Sequence, residues 1–497
     1  MKKLIPHLTF RIDPGYTFQQ NLLAPEFDDR NILVSKLPGS KELEVIFVGK
    51  VVEHSPDARG RALMGKNVWL DCEGAHAIYV MGKRRSGKTY TLGVIVEGLA
   101  SSDWIKQGDK KQAILLIDSM NVFITMPHNV IDTYGGDNSQ VKEIKKWGLE
   151  NEELNIVLFY PKGTPSPPEG LSKEITIRLC DLTAEDWACL FEVDTYSDPM
   201  GQLISEVYEK VVVEGYVDNN GANIAANSDY SIDDLSSCID NCAEIEARYQ
   251  SQTINALRNR WRAIKRLPVF SNIGIDINEI FTPGVISILL LRDLDQNLRS
   301  LLVGILTKNI MKLRSISDKY ERLSSVQLSR YESLKGKEPK KAQEALEKYN
   351  KYLAEIQKGL PRGWILIDEA HNYIPARGIV PSSKPLRKYV NEGRNLGLSI
   401  VVATQNPSAL DTAIRRNADV LVVHSISMKD DITAVEGMVN TFTPDSFEVG
   451  RERITSRVFE QLVRSLPLGY AIVSNDRANR IFVTKIRPRL TVHGVEY

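Results

Sequence analysis

The chain lacks the features that mark membrane and secreted proteins. In its 497 residues no run approaches ~18 consecutive apolar residues, so the sequence offers no transmembrane helix. The N-terminus, MKKLIPHLTF, contains lysines but no apolar stretch of the length that a signal peptide needs. We therefore expect a protein without membrane association that works in the cytoplasm.

Cysteine is scarce, and neither sign of charge is in excess. The 5 cysteines are scattered and odd in number, which argues against a disulfide framework. Cys238 and Cys242 are close in sequence, but no second pair with zinc-ligand spacing accompanies them, so we expect free thiols. The 63 basic residues balance the 63 acidic residues. If the protein binds nucleic acid, it must do so through a local cluster of positive charge.

The most informative segment that is present reads GKRRSGKT, residues 82–89, and fits the phosphate-loop pattern G-x-x-x-x-G-K-[ST]. An apolar run leads into it and a helix-compatible stretch follows. Glycines let the backbone wrap closely around phosphate, and the amides at the helix N-terminus point at the anion. Lys88 is expected to reach the β- and γ-phosphates, and Thr89 to hold Mg²⁺. The predicted nucleotide-binding residues are Gly82, Lys83, Arg84, Arg85, Ser86, Gly87, Lys88, Thr89 and Tyr90.

A second motif, WILIDE at residues 364–369, supplies the acids that nucleotide hydrolysis requires. Asp368 is expected at the end of a buried strand, where it can order the Mg²⁺ shell, and Glu369 beside it as general base. The alternative is a pair of acids that cap a following helix. Asp118 also follows an apolar strand, but Ser119 stands where a base would be needed. We therefore predict a neighbouring core strand with Asp118 near the site.

Two further polar side chains extend the predicted site. Gln405 ends the strand-like run 399–403 and is expected to contact the γ-phosphate or to orient water, whereas Thr404 is the weaker candidate. Arg394 precedes the same run. An arginine delivered across a subunit interface can stabilise transition-state charge on the γ-phosphate, and the alternative is a surface arginine near a helix end.

Apolar strands alternate with helical segments through much of the chain, which predicts an α/β fold with a mainly parallel sheet covered on both faces. The expected strands are 113–117, 156–160, 286–290, 364–367, 399–403 and 420–423, with 44–52 before them and 471–473 and 481–486 after them. A long helix is expected over Asn241–Leu267, and its basic C-terminal half is either a DNA contact or a solvated face.

Together the motifs GKRRSGKTYTLGVIVEGL, ILIDEAHNYIP and EGRNLGLSIVVATQNPSALD, with the closing LPLGYAIVSND and RIFVTKIRPRLTVHG, resemble the HerA branch of the HerA/FtsK superfamily of hexameric ATPases. The resemblance covers about 71–165 and 285–497. It implies ATP and Mg²⁺ as cofactors, a RecA-like P-loop core, and a homo-hexamer with double-stranded DNA in its central pore. It also gives Arg394 the role of a trans-acting finger and Gln405 that of a sensor.

The resemblance also implies a domain order and a class of partner. The expected units are a small N-terminal β-barrel-like module (1–70), the first part of the core (71–165), a mainly helical insertion (166–284), the second part of the core with a charged helical hairpin at about 320–360 (285–475), and a C-terminal strand and tail (476–497). Such ATPases work with a nuclease, and compact bacterial ones occur in anti-phage systems beside a nuclease or a sirtuin-like effector.

Three functions therefore stand at this point. The first is a DNA translocase. The second is an ATP-regulated hexameric scaffold that assembles and activates an effector enzyme without processive pumping, and the third is a protein-remodelling ATPase. Basic residues facing the pore would favour the first, whereas aromatic pore loops would favour the third.

Overall fold

The computed structural model describes residues 9–12, 31–35, 43–52, 65–101, 112–439, 447–449, 452–454, 456–475 and 480–494. Its strands are β1 Thr9–Ile12, β2 Asn31–Val34, β3 Leu43–Val51, β4 Asn67–Asp71, β5 Ala77–Met81, β6 Gln112–Asp118, β7 Ile156–Pro161, β8 Ser172–Ile175, β9 Ile177–Arg178, β10 Tyr216–Val217, β11 Asn223–Ile224, β12 Phe270–Ser271, β13 Ile286–Leu290, β14 Arg362–Ile367, β15 Leu398–Thr404, β16 Val420–Val423, β17 Phe447–Val449, β18 Glu452–Ile454, β19 Tyr470–Asn475 and β20 Arg480–Ile486.

The α-helices are α1 Lys88–Ser101, α2 Val130–Tyr134, α3 Ser139–Lys146, α4 Ala184–Leu190, α5 Pro199–Tyr208, α6 Ile232–Asn241, α7 Ala243–Arg248, α8 Ser251–Ile264, α9 Ile277–Ile280, α10 Gln296–Leu334, α11 Pro339–Ile356, α12 Ser383–Glu392, α13 Thr412–Asn417, α14 Lys429–Val439 and α15 Ser456–Ser465. Every strand expected from the sequence is found, with shifts of one or two residues at its ends.

One large sheet organises the molecule, in the order β2-β4-β3-β20-β19-β16-β5-β15-β14-β6-β13-β7-β8. From β16 to β8 all neighbours are parallel. Because parallel strands end at the same edge, the residues that follow β5, β15, β14 and β6 meet there. The α/β fold with a mainly parallel sheet is therefore confirmed.

The core lies on both faces of this sheet. Alternate residues of each central strand enter opposite hydrophobic clusters, so that Ile78 and Val80 face one cluster while Tyr79 and Met81 face the other. Helix α1 covers the first face with buried aliphatic side chains, whereas α10 and the helices of residues 184–264 cover the second. Burial on both faces explains why the strands read as continuous apolar runs instead of alternating ones.

The strands near the N-terminus continue the same sheet. Strand β3 pairs antiparallel with β20, and β4 and β1 pair with β3. Residues 1–8, 13–30, 36–42 and 53–64 of the module expected over 1–70 lie outside the described residues, as do 476–479 and 495–497 of the expected C-terminal unit. The described strands of the two ends of the chain therefore lie side by side.

The single helix expected over Asn241–Leu267 is wrong. The backbone is extended at Cys242 (φ −108°, ψ 106°) and again at Gln250 (φ −67°, ψ 141°), so two separate helices, α7 and α8, follow the end of α6 at Asn241. The buried Cys242 and Ile245 nevertheless lie in the same core as Leu257 of α8.

Two basic residues of α8, and Lys265 just after it, are engaged locally. Arg258 Nε donates to Asp240 at 2.9 Å, Lys265 Nζ to Asp233 at 2.6 Å, and Arg260 Nη1 to the Phe191 carbonyl. These partners favour the solvated-face interpretation of the basic helix over DNA contact.

Helices α10 and α11 pack against each other as a long hairpin. The charged segment expected at about 320–360 is therefore helical, with a turn at residues 335–338. Among the described residues, no helix combines the length and the apolar character that a membrane crossing requires.

Candidate functional site

The phosphate-loop motif adopts the strand–loop–helix geometry expected of it. Strand β5 ends at Met81, α1 begins at Lys88, and residues 83–85 are exposed between them. A Cβ added to Gly82 would lie 2.4 Å from Ser86 Oγ and 2.7 Å from His424 Cβ. Only glycine fits at that position, because such contacts are shorter than packed atoms allow.

Lys88 is buried, and its ammonium group contacts the phosphate loop. Its Nζ donates to the Lys83 carbonyl at 3.1 Å. Burial lowers the pKa of Lys88, and the carboxylates of Glu369 and Asp368 oppose that shift. The cation therefore faces both acids of the second motif, as a residue that binds β- and γ-phosphates must.

The two motifs meet at Thr89 and Asp368. Thr89 Oγ1 donates to Asp368 Oδ2 at 3.1 Å, and Asp368 Oδ1 accepts from the Glu369 backbone N–H at 3.0 Å. Burial and the neighbouring Glu369 raise the pKa of Asp368 to about 6. A hydroxyl and a carboxylate are the hard oxygen ligands that Mg²⁺ prefers, and this ion commonly takes only one or two carboxylates and completes its shell with phosphate and water. The residues present therefore fit Mg²⁺.

Glu369 has a strained backbone. Its φ is +52°, in the left-handed region that non-glycine residues rarely adopt. Its Oε2 is buried without a hydrogen-bond partner among the described residues and lies 3.5 Å from His371 Nδ1. Burial raises the pKa of Glu369, while Lys88 and the Gln405 backbone N–H oppose the rise. A carboxylate with a raised pKa and an unused oxygen is suited to accept a proton from water.

Gln405 follows the last residue of β15, the strand next to β14, so the structure brings it to the same edge as Glu369. Thr404 is buried, and its Oγ1 contacts His371 Nδ1 at 3.0 Å and accepts from the Asn406 N–H at 3.0 Å. Thr404 and His371 thus connect the ends of two neighbouring strands, and the Gln405 backbone amide faces the Glu369 carboxylate.

Asp118 lies near the site, as expected, at the end of the neighbouring strand β6. Its carboxylate accepts from the backbone N–H groups of Met120 at 3.1 Å and Phe123 at 2.7 Å. Burial and the nearby Asp368 raise the pKa of Asp118 to about 7. The carboxylate therefore holds the turn that follows β6.

Arg394 lies far from its own phosphate loop. Its Nη2 donates to the Asn417 carbonyl at 2.7 Å and lies 3.3 Å from Asp419 Oδ1. It precedes β15, whereas the phosphate loop follows the parallel β5. The 7 residues of β15 separate the two edges by roughly 20 Å. Arg394 therefore cannot reach a nucleotide bound in its own subunit.

His424 is a residue of the site that the sequence motifs did not reveal. Its Nδ1 lies 2.9 Å from the Tyr470 carbonyl, which can only accept, so Nδ1 carries the proton and Nε2 accepts from Thr91 Oγ1 at 2.9 Å. Burial lowers the pKa of His424 to about 4, which keeps the ring neutral. Its Cβ lies beside Gly82 and its ring beside Gly87, so His424 supports the phosphate loop. The sequence could have indicated this residue, because it directly follows β16, a parallel strand next to β5, and so lies at the same sheet edge as the phosphate loop.

A buried ion cluster joins α1 to the C-terminal segment. The carboxylate of Glu97 accepts from Arg487 Nη1 at 2.8 Å and from the backbone N–H groups of Leu490 and Thr491. Arg489 Nε lies 3.4 Å from the same carboxylate. No local sequence pattern predicts this cluster, because its members are nearly 400 positions apart.

Sequence comparisons agree with the geometry. Residues 77–310 match the family described as "Helicase HerA, central domain", and residues 305–469 match "Zonular occludens toxin (Zot)". No curated protein matches the chain in sequence.

Three solved structures align with most of this chain at low sequence identity. VirB4 of Thermoanaerobacter pseudethanolicus has 11% identity and a TM-score of 0.45, covering 89% of this chain and 96% of that one. The bacterial conjugative coupling protein TrwBΔN70 has 13% identity and a TM-score of 0.44, covering 85% and 87%. The genome packaging NTPase B204 of Sulfolobus turreted icosahedral virus 2, in complex with AMPPCP, has 9% identity and a TM-score of 0.29, covering 83% and 97%.

Proposed function

We propose that this chain, which belongs to the HerA-like P-loop ATPases of the HerA/FtsK superfamily, uses ATP hydrolysis to move double-stranded DNA through the central pore of a six-subunit ring. That the chain is an ATP hydrolase follows from the family. The observation that carries the proposal is the meeting of the phosphate loop with the acidic pair, through the 3.1 Å hydrogen bond from Thr89 to Asp368.

Each residue of the site has a proposed part in hydrolysis. Lys88 and the amides of residues 82–90 bind the phosphates, while Thr89 and Asp368 hold Mg²⁺, which neutralises charge on the phosphate oxygens when bound. Glu369 takes a proton from the attacking water at its carboxylate. Gln405 orients that water or contacts the γ-phosphate from the neighbouring strand end.

The position of Arg394 supports a ring. It lies at the sheet edge opposite its own phosphate loop, so any γ-phosphate that it touches belongs to a neighbouring subunit. In the proposed hexamer each nucleotide lies between two subunits, one giving the phosphate loop and the other giving Arg394. This arrangement would make hydrolysis depend on assembly.

The proposed ring surrounds duplex DNA and holds it by phosphate contacts. The balance of 63 basic and 63 acidic residues means that positive charge must be concentrated on the pore wall. The proposed domain order is the one expected from the sequence: a β module to residue 70, a core in two parts (71–165 and 285–475), an inserted unit (166–284) and a C-terminal strand and tail. The core parts contain every residue of the site.

The proposed partner is an effector enzyme, a nuclease or a sirtuin-like protein, and the proposed setting is anti-phage defence in the cytoplasm. Cys180, Cys189, Cys238 and Cys242 carry free thiols, which suits a reducing compartment. A second candidate function is a hexameric scaffold in which ATP switches an attached effector without pumping. The same site favours it, because a trans-acting Arg394 couples nucleotide state to assembly.

DNA-stimulated hydrolysis tests the proposed function. We expect linear duplex DNA to raise the steady-state ATPase rate of the wild-type ring, and Glu369→Gln to abolish the stimulated rate while leaving ring mass unchanged in native mass spectrometry. An ATPase rate that duplex DNA does not change, with or without the effector encoded beside the gene, would reject the translocase and favour the scaffold.

A further inference from the structure

A small cavity lies beside the start of α1 and plays no part in the hydrolytic site described above. Its volume is about 260 Å³. Helix α1, helices α2 and α3, and the C-terminal segment surround it, through Tyr90, Val130, Ser139, Gln140, Glu143, Pro488, Arg489, Thr491 and His493. Pockets for complete small ligands usually measure about 300–1,000 Å³, so this one suits one end of a ligand.

The cavity adjoins the phosphate site directly. Tyr90 follows Thr89 in the first turn of α1, where each residue rises about 1.5 Å along the axis. The Tyr90 hydroxyl accepts a hydrogen bond from the Arg489 backbone N–H at 2.7 Å, which draws the C-terminal segment against this turn. A nucleotide whose phosphates lie against residues 87–89 therefore has this cavity within reach of its nucleoside end.

The lining is suited to a flat aromatic ring. The rings of Tyr90 and His493 meet edge to face, 5.6 Å apart at 81°, and the Arg489 guanidinium lies 6.0 Å from the Tyr90 ring. Arg489 Nη1 donates to His493 Nδ1 at 3.0 Å. Burial and Arg489 lower the pKa of His493 to about 3, so the imidazole stays neutral and offers an apolar face. Any nucleobase can stack on such a face, because every base has a π-face of its own.

The opposite wall disfavours a second anion. Glu143 lines the cavity from α3, where its Oε1 accepts from Lys485 Nζ at 3.0 Å and Trp147 Nε1 at 2.9 Å. Lys485 and Trp147 hold the pKa of this carboxyl below its ordinary value, so it is charged at neutral pH. An uncharged base and ribose fit beside a carboxylate, whereas a further phosphate group would be repelled.

The wall is fixed before any ligand arrives. The Glu97 cluster anchors Arg487, Leu490 and Thr491 to α1 with buried, charge-assisted hydrogen bonds. Because this wall is already ordered, ligand binding loses little conformational entropy there.

We propose that this cavity receives the purine base and ribose of the nucleotide, with His493 and Tyr90 as the stacking surfaces. The inference rests on the proposed nucleotide site and extends it to the C-terminal segment. That segment then contributes to nucleotide affinity although it is about 400 residues distant from the phosphate loop in sequence. That segment continues directly from β20, the strand that joins the two ends of the chain.

Calorimetric titration with two probes tests this inference. The first is a non-hydrolysable ATP analogue, which engages both the phosphate loop and the cavity, and the second is inorganic tripolyphosphate, which engages the loop alone. We expect His493→Ala to weaken binding of the analogue by about fivefold or more, on the scale of one lost stacking contact, and to leave tripolyphosphate binding unchanged. His493→Phe, which keeps a ring, should retain most of the affinity for the analogue.

Lys142→Ala is the matched control, because Lys142 is exposed on the same helix as Glu143 and does not line the cavity. Unchanged affinity of His493→Ala for the analogue would overturn the inference. Equal losses for both probes would also overturn it, since His493 would then support the phosphate loop instead of the nucleoside. The proposed function fails separately if Lys88→Ala still binds tripolyphosphate as tightly as the wild type.

Discussion

Thr89 donates a hydrogen bond to Asp368 across 279 positions of sequence, with 3.1 Å between Oγ1 and Oδ2. The contact joins the first residues of α1 to the end of β14. It brings a hydroxyl and a carboxylate together at the point where a Mg²⁺ ion shared with the nucleotide would lie. The chemistry proposed above depends on this junction.

Removing the carboxylate of Glu369 should separate binding from hydrolysis. Glu369→Gln keeps Lys88, Thr89 and Asp368, so it should still bind ATP with Mg²⁺. Its turnover should fall by roughly two or more orders of magnitude, the scale of a lost general base. Steady-state ATPase rates are the measurement, with the exposed Glu344→Gln of α11 as control. Turnover of Glu369→Gln near that of the wild type would remove this residue from the mechanism.

Arg394 should act on the nucleotide of a neighbouring subunit. Arg394→Ala should assemble but hydrolyse poorly, and mixing it with Lys88→Ala subunits should restore part of the activity. Some interfaces of a mixed ring pair an intact phosphate loop with an intact arginine. ATPase assays across mixing ratios make the measurement, and the exposed Arg330→Ala of α10 controls for loss of a surface charge. If rings proven to exchange subunits show no rescue at any ratio, Arg394 has only a structural part.

DNA binding should be steeply sensitive to salt and indifferent to sequence. Six copies of one or two basic side chains would neutralise roughly 6–12 phosphates, so log affinity should fall with log salt at a slope near −0.9 per phosphate. Contacts to phosphate carry no direct base information. Fluorescence anisotropy with two unrelated duplexes across a salt series is the test. A strong preference for one duplex, or no binding at low salt with ATP present, would contradict the translocase.

Gly82 should tolerate no side chain. In Gly82→Ala the new Cβ would meet Ser86 Oγ at 2.4 Å and His424 Cβ at 2.7 Å, so the phosphate loop must shift. We expect the affinity for nucleotide to fall by roughly tenfold or more, equivalent to about 1.4 kcal/mol. Gly437→Ala in α14 is the matched control, since its Cβ meets nothing within 4 Å and alanine should stabilise that helix by about 0.5–1 kcal/mol. Equal nucleotide affinity in both variants would contradict this account of the loop.

Stability should decline on the alkaline side of neutrality because of His76, which precedes β5. Burial opposes its protonation, but the carboxylates of Asp419 and Asp71 outweigh burial and raise the pKa of His76 to about 9. A pKa raised on folding contributes stability that is complete below the ordinary value near 6.5 and is lost as the pH rises toward 9. The midpoint temperature of thermal unfolding should therefore decrease as the pH rises from 6.5 to about 9.

The variant His76→Gln should be less stable at pH 6 and should show a flatter profile over this window. Exposed His128 gives the control, and His128→Gln should keep the wild-type slope. Parallel profiles for His76→Gln and the wild type would show that His76 is not the group responsible.

The sequence alone was enough to locate the strands of the sheet and to predict which residues form the proposed hydrolytic site. Strands buried on both faces have unbroken apolar sequences, so the bounds of β6, β7 and β13 to β16 could be predicted to within two residues. Phosphate binding requires glycine, lysine and a hydroxyl at fixed spacing, because the backbone itself surrounds the ligand, so residues 82–89 were recognisable. Breaks within helices were less visible. The backbone is extended at Cys242, although neither glycine nor proline stands beside it to mark the break.

Only the tertiary structure decided which residues meet from distant parts of the chain. The neutral His424 under Gly82, the Glu97 cluster that anchors Arg487, and the 3.3 Å approach of Arg394 to Asp419 depend on strand order, which no local pattern contains. The sequence marked Arg394 by its motif, but its separation from its own phosphate loop follows from the parallel pairing of β15 with β5. Pairing between strands is a long-range choice, stabilised by burial of both sheet faces, and it alone fixes which side chains share an edge.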